Sequence, residues 1–267
     1  MSGPDAGRIV SVPQDASLTI GRSDECAVTI ADASLSRQHA RLDYVMGEYV
    51  LGDLGSSNGT YVNNCPACSP ITLKEGDRIS LGRMTSMRFA LVTQAEADAL
   101  RAVYDASTRD GLTGLCNRAH LDQRLAADLA FAARHELPLS VVAIDLDYFK
   151  RVNDTFGHAA GDAVLRGTAA TISSHIRIED LAARVGGEEL LVVLPATPLP
   201  GAVSAAERLR IAIEAMVVET GGIVVRVTAS FGVASIACAG PDRAALLKIA
   251  DRRLYEAKRQ GRNRVVG

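Results

Sequence analysis

Leu139-Ser140-Val141-Val142-Ala143-Ile144-Asp145-Leu146-Asp147 is the stretch that decides the fold of the larger part of this chain. Residues 139–144 form a nearly continuous apolar run, the pattern of a strand buried on both faces. The run ends in two carboxylates one residue apart. Side chains alternate along a strand, so Asp145 and Asp147 share a face. Two anions that close repel each other unless a cation joins them. Oxygen-only ligands with open positions suit Mg²⁺, which keeps waters and phosphate oxygens in its shell. A pair of solvated acids at a strand end is the plain alternative.

Helices and apolar strands alternate around this run. The pattern predicts helices over 121–135, 161–176, 202–217 and 243–258, and strands over 190–194 and 223–230. Together they make an α/β domain of ~160 residues, an ordinary domain size. Ahead of the 190–194 strand stands Arg184-Val185-Gly186-Gly187-Glu188-Glu189-Leu190. Gly-Gly between two strand-like runs signals a two-residue hairpin, and glycines let another molecule approach the backbone closely. Glu188 and Glu189 then supply a second acidic pair. Alone it could be an exposed turn; beside the strand of Asp145 it would complete a metal site.

The first ninety or so residues differ. Short runs at 18–20, 27–30, 48–51 and 87–92 are rich in strand formers and are punctuated by Gly, Asp, Ser and Asn, the rhythm of a β-sandwich. Residues 94–107, Ala-rich and charged with neither Gly nor Pro, read as a stiff helical linker. The division expected is a β domain over 1–93, a linker over 94–108 and the α/β domain over 109–267. With 267 residues, a net charge of −2 and 48% hydrophobic residues, the chain has enough apolar residues for packed cores and lacks the basic excess of a nucleic-acid coat. Five scattered cysteines make a disulfide framework unlikely, and Cys65 and Cys68 have no second pair with which to form a zinc site. No window approaches the roughly 20 apolar residues that span a bilayer, so a cytoplasmic protein without a membrane span is expected.

Several motifs in the C-terminal part resemble the GGDEF family of diguanylate cyclases. Asp110-Gly111-Leu112-Thr113-Gly114-Leu115-Cys116-Asn117-Arg118 is similar to the family's opening signature. Residues 145–154, DLDYFKRVND, resemble its metal and phosphate segment, followed by Gly157-His158 and Gly161-Asp162. GGEEL at 186–190 resembles the name-giving loop, and Tyr255-Glu256-Ala257-Lys258 with Gly261-Arg262-Asn263 the closing signature. The resemblance implies a mixed central sheet flanked by helices and the joining of two GTP into cyclic di-GMP with Mg²⁺ or Mn²⁺. It implies that Asp145, Glu188 and the Leu146 carbonyl hold the metals, that Glu189 assists, and that Glu188 is the base for the 3′-hydroxyl. Asn153 and Asp162 would bind the guanine edge, with His158 nearby. Lys150, Lys258, Arg262 and the backbone N–H groups of Tyr148 and Phe149 would face the phosphates, beside the open backbone of Gly186 and Gly187. One departure is Leu190, where the family has Phe; reduced packing rather than lost chemistry is expected. Because each such domain binds one GTP and the product joins two GMP units, the resemblance implies a homodimer.

Arg177-Ile178-Glu179-Asp180 resembles the family's RxxD inhibitory site, with Arg208 as its second arginine, which implies feedback inhibition by cyclic di-GMP. At the other end of the chain, Gly21-Arg22, Ser36-Arg37-Gln38-His39-Ala40, residues 53–60 and Gly76-Asp77-Arg78-Ile79 resemble a forkhead-associated (FHA) domain. That implies a phosphothreonine peptide as partner. Arg22 and Ser36 would hold the phosphate, Arg37 would add charge, Ser57 and Asn58 would hold the peptide, and His39 would brace the loops. A second reading of the whole chain, a cyclic di-GMP receptor that docks a phosphopeptide without turnover, stays open.

Overall fold

The structure is a computed structural model; it describes residues 8–13, 17–30, 32 and 34–267. The chain forms two compact units, Met1–Asp105 and Ala106–Gly267. The division falls inside helix α1 (Gln94–Thr108), so the helix expected as a linker runs into the second unit. Among the described residues no helix is long and apolar enough to cross a membrane.

The first unit is all β. Strands β1 (Leu18–Gly21), β2 (Val28–Thr29), β3 (Ala40–Val45), β4 (Glu48–Asp53) and β7 (Ile71–Thr72) form one sheet in the order β2-β1-β3-β4-β7. Strands β5 (Thr60–Val62), β6 (Cys65–Pro66), β8 (Arg78–Leu81) and β9 (Thr85–Arg88) form a second in the order β6-β5-β8-β9. Alternation turns Ala40 and Leu42 of one sheet and Ile79 and Leu81 of the other into a shared core with Ile20, Leu51 and Phe89. The strand expected over 87–92 is shorter and earlier, ending at Arg88, although Phe89 still fills the core.

The second unit has one mixed sheet, in the order β11-β12-β10-β15-β16. Its strands are β10 (Leu139–Leu146), β11 (Leu181–Gly186), β12 (Glu189–Pro195), β15 (Ala229–Ser235) and β16 (Val265–Val266); β13 (Val218–Thr220) and β14 (Ile223–Val225) make a separate hairpin. Strand β10 is central, antiparallel to β12 and β15, and buried along its whole length. Its even-numbered side chains, Val142, Ile144 and Leu146, join a core with α4 (His158–His175) and α5 (Leu199–Ala215). Its odd-numbered ones, Leu139, Val141 and Ala143, pack with α2 (Arg118–His135) and α7 (Arg243–Arg259). Asp145 continues the odd series. Helix α7 lies directly on β15: a Cβ at Gly232 would come 2.1 Å from the Ala250 carbonyl oxygen. The short α6 (Ile236–Ala239) links β15 to the turn before α7.

Two expectations need correction. The strand expected over 223–230 is two strands, β14 and β15, separated where the Thr228 hydroxyl and carbonyl turn toward Asp147. Helix α3 (Phe149–Phe156) was not expected, and α4 begins at His158 rather than 161. Only Gly157 separates them; its φ of 82° is the left-handed conformation that glycine tolerates.

Candidate functional site

The site lies where β10, the β11–β12 hairpin and the first turn of α3 meet. Asp145 and Glu189 are cross-strand partners in the β10–β12 ladder, and both continue the series facing α2 and α7. The Lys258 ammonium at the end of α7 lies 2.7 Å from Asp145. Burial pushes the Asp145 carboxyl up; Lys258 opposes this, while Glu189 and Asp147 add like-charge repulsion. Glu188 sits in the turn itself, half-buried and outside the ladder. The acid facing Asp145 is therefore Glu189. The unbroken β10–β12 register, from Leu139 opposite Pro195 to Asp145 opposite Glu189, sets this pairing, and the shift between Arg184 and Gly186 brings Gly186 opposite Glu189 on the other side.

Asp147 has a different role from the one its spacing suggests. It shares the face of Asp145, but its carboxylate accepts hydrogen bonds from Ser230 (2.6 Å), Thr228 (2.7 Å) and the Asn263 backbone N–H (3.0 Å). It is an internal brace with its oxygens committed. Among the described residues no three His, Cys, Asp or Glu side chains converge as a ready-made metal cluster. The donor chemistry nevertheless fits a hard divalent cation: Asp145 and Glu189 are oxygen-only ligands, mutually repulsive, with a single ammonium between them and charge balance.

The hairpin is held from the opening motif. Arg184 donates to the Gly187 carbonyl through Nε (3.0 Å) and Nη2 (2.8 Å) and pairs with Asp110 at 3.2 Å. Asp110 also accepts from the backbone and hydroxyl of Thr113. These bonds fix the carbonyl of one turn glycine and outweigh the upward push of burial, holding the Asp110 carboxyl below its usual range. The turn residues are Gly187 and Glu188, one position later than Gly-Gly spacing suggests, and neither Gly186 nor Gly187 has a positive φ. A Cβ on Gly187 would meet nothing within 4 Å, so this backbone is open to a ligand. Leu190 is 2% exposed in the α4/α5 core, so the loop keeps an apolar anchor.

Tyr148 takes φ 56° and N-caps α3 without a side-chain hydrogen bond, which leaves the first-turn amides pointing out of the helix. Phe149 is buried, and Lys150 is exposed on that same turn. The Arg262 guanidinium stacks on the Tyr148 ring at 4.4 Å and donates to its hydroxyl at 3.2 Å. Asn153 points across to α4: a Cβ on Gly161 would lie 1.9 Å from its Oδ1, so only glycine allows the approach. Asp162 follows Gly161 on α4, and His158 is exposed at the start of that helix.

The Arg177–Asp180 segment is a tight turn between α4 and β11. Asp180 Oδ2 accepts from the Arg177 backbone N–H at 2.8 Å, while the buried Oδ1 has no partner. Burial pushes the Asp180 carboxyl up to about 6; the Arg177 N–H opposes this, Glu179 adds to it, and the charges of Arg177 and Arg208 counter it. Arg208 is exposed on α5.

In the first unit, Arg22 N–H donates to the Ser36 carbonyl and Ser23 N–H to that of Arg37, each at 3.1 Å. Ser57 N–H donates to the Ser36 hydroxyl at 3.0 Å. Arg22, Arg37 and Ser57 are exposed around this cluster. His39 is fully buried, with Nδ1 accepting from Ser36 N–H and Nε2 beside the Gly59 carbonyl, so it braces the loops. The Asn58 amide donates to the Ser34 carbonyl, which commits its side chain and leaves its backbone. All five cysteines are free.

The family model described as "Diguanylate cyclase, GGDEF domain" matches residues 107–264, and that of the FHA domain matches residues 18–82. Response regulator PleD of Caulobacter vibrioides is 42% identical over 165 residues, 61% of this chain and 36% of PleD. Diguanylate cyclase DgcP of Pseudomonas aeruginosa is 42% identical over 156 residues, 58% of this chain and 23% of DgcP. The match thus spans about a third of the length of the first of these curated relatives and less than a quarter of the second. Among solved structures, P. aeruginosa diguanylate cyclase SiaD, in complex with its activator SiaC, superposes with a TM-score of 0.59 at 40% identity, over 65% of this chain and 66% of SiaD. The coiled coil and GGDEF domain of DgcB from Caulobacter crescentus, in complex with c-di-GMP, gives 0.60 at 30% identity, over 65% of this chain and 92% of that one. The chain therefore belongs to the GGDEF family of diguanylate cyclase domains and carries an FHA domain ahead of that domain.

Proposed function

We propose that this chain condenses two GTP into cyclic di-GMP and two pyrophosphate, with a divalent cation such as Mg²⁺ or Mn²⁺. The observation that carries the reading is Asp145 facing Glu189 across paired strands, beside the open Gly187 backbone and the uncapped start of α3. Asp145, Glu189 and the Leu146 carbonyl would hold the cation. Such a cation supplies positive charge against the triphosphate and acidifies a hydroxyl bound to it. Glu188, outside the ladder and in the turn, is the base for the 3′-hydroxyl. Asn153 and Asp162 accept and donate along the guanine edge, where a carboxylate matches the ring N–H and amino group. Amides of the α3 first turn, Lys150 and Arg262 face the phosphates. Lys258 opposes the upward push of burial on the Asp145 carboxyl and adds positive charge to the same pocket.

Each domain holds one GTP, so two copies must present their sites to each other, and most of the rate advantage is positioning. Asp180, with its unpartnered Oδ1, and Arg177 and Arg208 would bind the product as a brake. Arg22, Ser36, Arg37, Ser57 and the Asn58 backbone would read a phosphothreonine, localising or regulating the enzyme. A nucleotide triphosphate substrate is consistent with a cytoplasmic location.

The test is incubation of the purified chain with GTP and Mg²⁺. Turnover to cyclic di-GMP, lost in Glu188→Ala and Glu189→Ala, is expected. Binding of cyclic di-GMP without any turnover would instead make the chain a receptor.

A further inference from the structure

The closing turn is held in a costly conformation by residues from elsewhere in the fold. Gly261, Arg262 and Asn263 take φ values of 116°, 63° and 46°, so two consecutive non-glycine residues are left-handed. Such backbone persists only where surrounding contacts fix it. Here Asn263 is gripped at both ends. Its backbone N–H donates to Asp147, its amide nitrogen donates to Glu214 at 2.8 Å, and its Oδ1 accepts from Arg210 at 3.0 Å. Arg210 is 15% exposed and also binds Glu207 at 2.8 Å and Glu214 at 2.6 Å. Its planar guanidinium therefore serves three acceptors together, which an ammonium could not do in the same geometry. Glu207, Arg210 and Glu214 all lie on α5, remote from the acid pair in the sequence.

We propose that Arg210 and Asn263 are positioning residues for Arg262: they lock the turn so that the Arg262 guanidinium is held over Tyr148, ready for a phosphate group. This rests on the assignment of Arg262 to the triphosphate. The clamp acts on the ground-state placement of a binding group, so its loss should appear in KM rather than kcat.

The variants are Arg210→Ala, Arg210→Lys and Asn263→Gly. Glycine accepts the left-handed φ at 263 and keeps the backbone N–H to Asp147, so Asn263→Gly removes the clamp without demanding a new backbone conformation. Arg210→Ala and Asn263→Gly are expected to raise KM for GTP about 10-fold with kcat within about threefold, and Arg210→Lys to recover only part of the loss. In an Arg262→Ala background, Arg210→Ala should add nothing further, because both act through one group. Multiplicative effects, or an unchanged KM in both clamp variants, would overturn the proposal. A second readout needs no turnover. The Arg262 side-chain N–H resonance, shifted by the Tyr148 ring in the wild type, should move to its solvent-exposed position in both clamp variants. If the wild-type chain does not turn over GTP, the functional reading fails while this measurement still decides the clamp. A resonance that stays ring-shifted in the variants would reject it.

Discussion

The loop cluster of the FHA unit and the acid end of the GGDEF unit treat buried charge in opposite ways. In the first, Asp53 accepts from the Ser56 and Thr60 hydroxyls, each at 2.6 Å, and from the Gly55 and Ser56 backbone N–H groups, each at 2.9 Å. Burial pushes its carboxyl up, but those bonds outweigh it and hold the group below its usual range. Both Asp53 oxygens are used on the scaffold, and Arg22, Arg37 and Ser57 are exposed in the same loop cluster, alongside Asp24 and Glu25. At the acid end, Asp145 is buried opposite another carboxylate with one lysine to balance both. A loop whose charges are satisfied internally is a finished cradle; a strand end that keeps unbalanced negative charge is one that a cation from outside would complete.

The sharpest way to break this contrast is to compare two acids only one residue apart. Asp145→Asn removes the unbalanced charge without emptying the space. It is expected to lower turnover about 10³-fold, equivalent to about 4 kcal/mol of barrier, while melting at the wild-type temperature or slightly above. Asp147→Ala should behave in reverse as a folding variant. It strands two hydroxyls and a backbone N–H, and about 3 kcal/mol of stability should be lost in chemical denaturation. If Asp145→Asn unfolds the protein, or Asp147→Ala leaves stability intact, the division of labour between the two acids is wrong.

The FHA unit offers the complementary pair. Arg22→Ala should weaken binding of a phosphothreonine peptide by more than about 30-fold, about 2 kcal/mol, by calorimetry, with unchanged melting. Asp53→Ala should cost the unit about 2 kcal/mol of stability by releasing the donors it collects. Equal peptide affinity in wild type and Arg22→Ala would remove the arginine from the binding surface.

Much of this was legible in the sequence because it is local. The apolar run of 139–144 names a doubly buried strand, and the turn-rich first ninety residues name a sandwich. Helix α3 was hidden because its short stretch has few apolar positions, Phe149, Val152 and Phe156, among charged ones. The pairing of Asp145 with Glu189 depends on the register of β10 against β12, which spacing does not reveal. Asp147 looked like a partner of Asp145 because its true partners lie 81 to 116 residues further along the chain. The Asp110–Arg184 brace spans 74 residues and joins two motifs that read separately. Neither acid nor arginine carries a sign of its mate; only the fold brings them together.

The smallest expected effect lies at the Arg177–Asp180 turn, which resembles the acid end more than the cradle because Asp180 keeps one buried oxygen without a donor. Burial raises its carboxyl to about 6, against about 4 in the unfolded chain. Between those values the folded protein retains a proton that the unfolded chain has released. The stability contributed by this group is therefore full below pH 4 and declines until about pH 6. Asp180→Asn, which cannot ionise, should lack the decline, gaining about 1–2 kcal/mol relative to wild type between pH 4 and 7 once solvent screening of the partly exposed group is discounted. A product that offers N–H donors needs the ionised carboxylate. Calorimetric affinity for cyclic di-GMP should thus rise as pH passes upward through 6 in the wild type and stay flat in Asp180→Asn. Parallel pH profiles for the two proteins would mean that the orphaned oxygen is a packing feature and that product, if it binds, is held by the arginines alone.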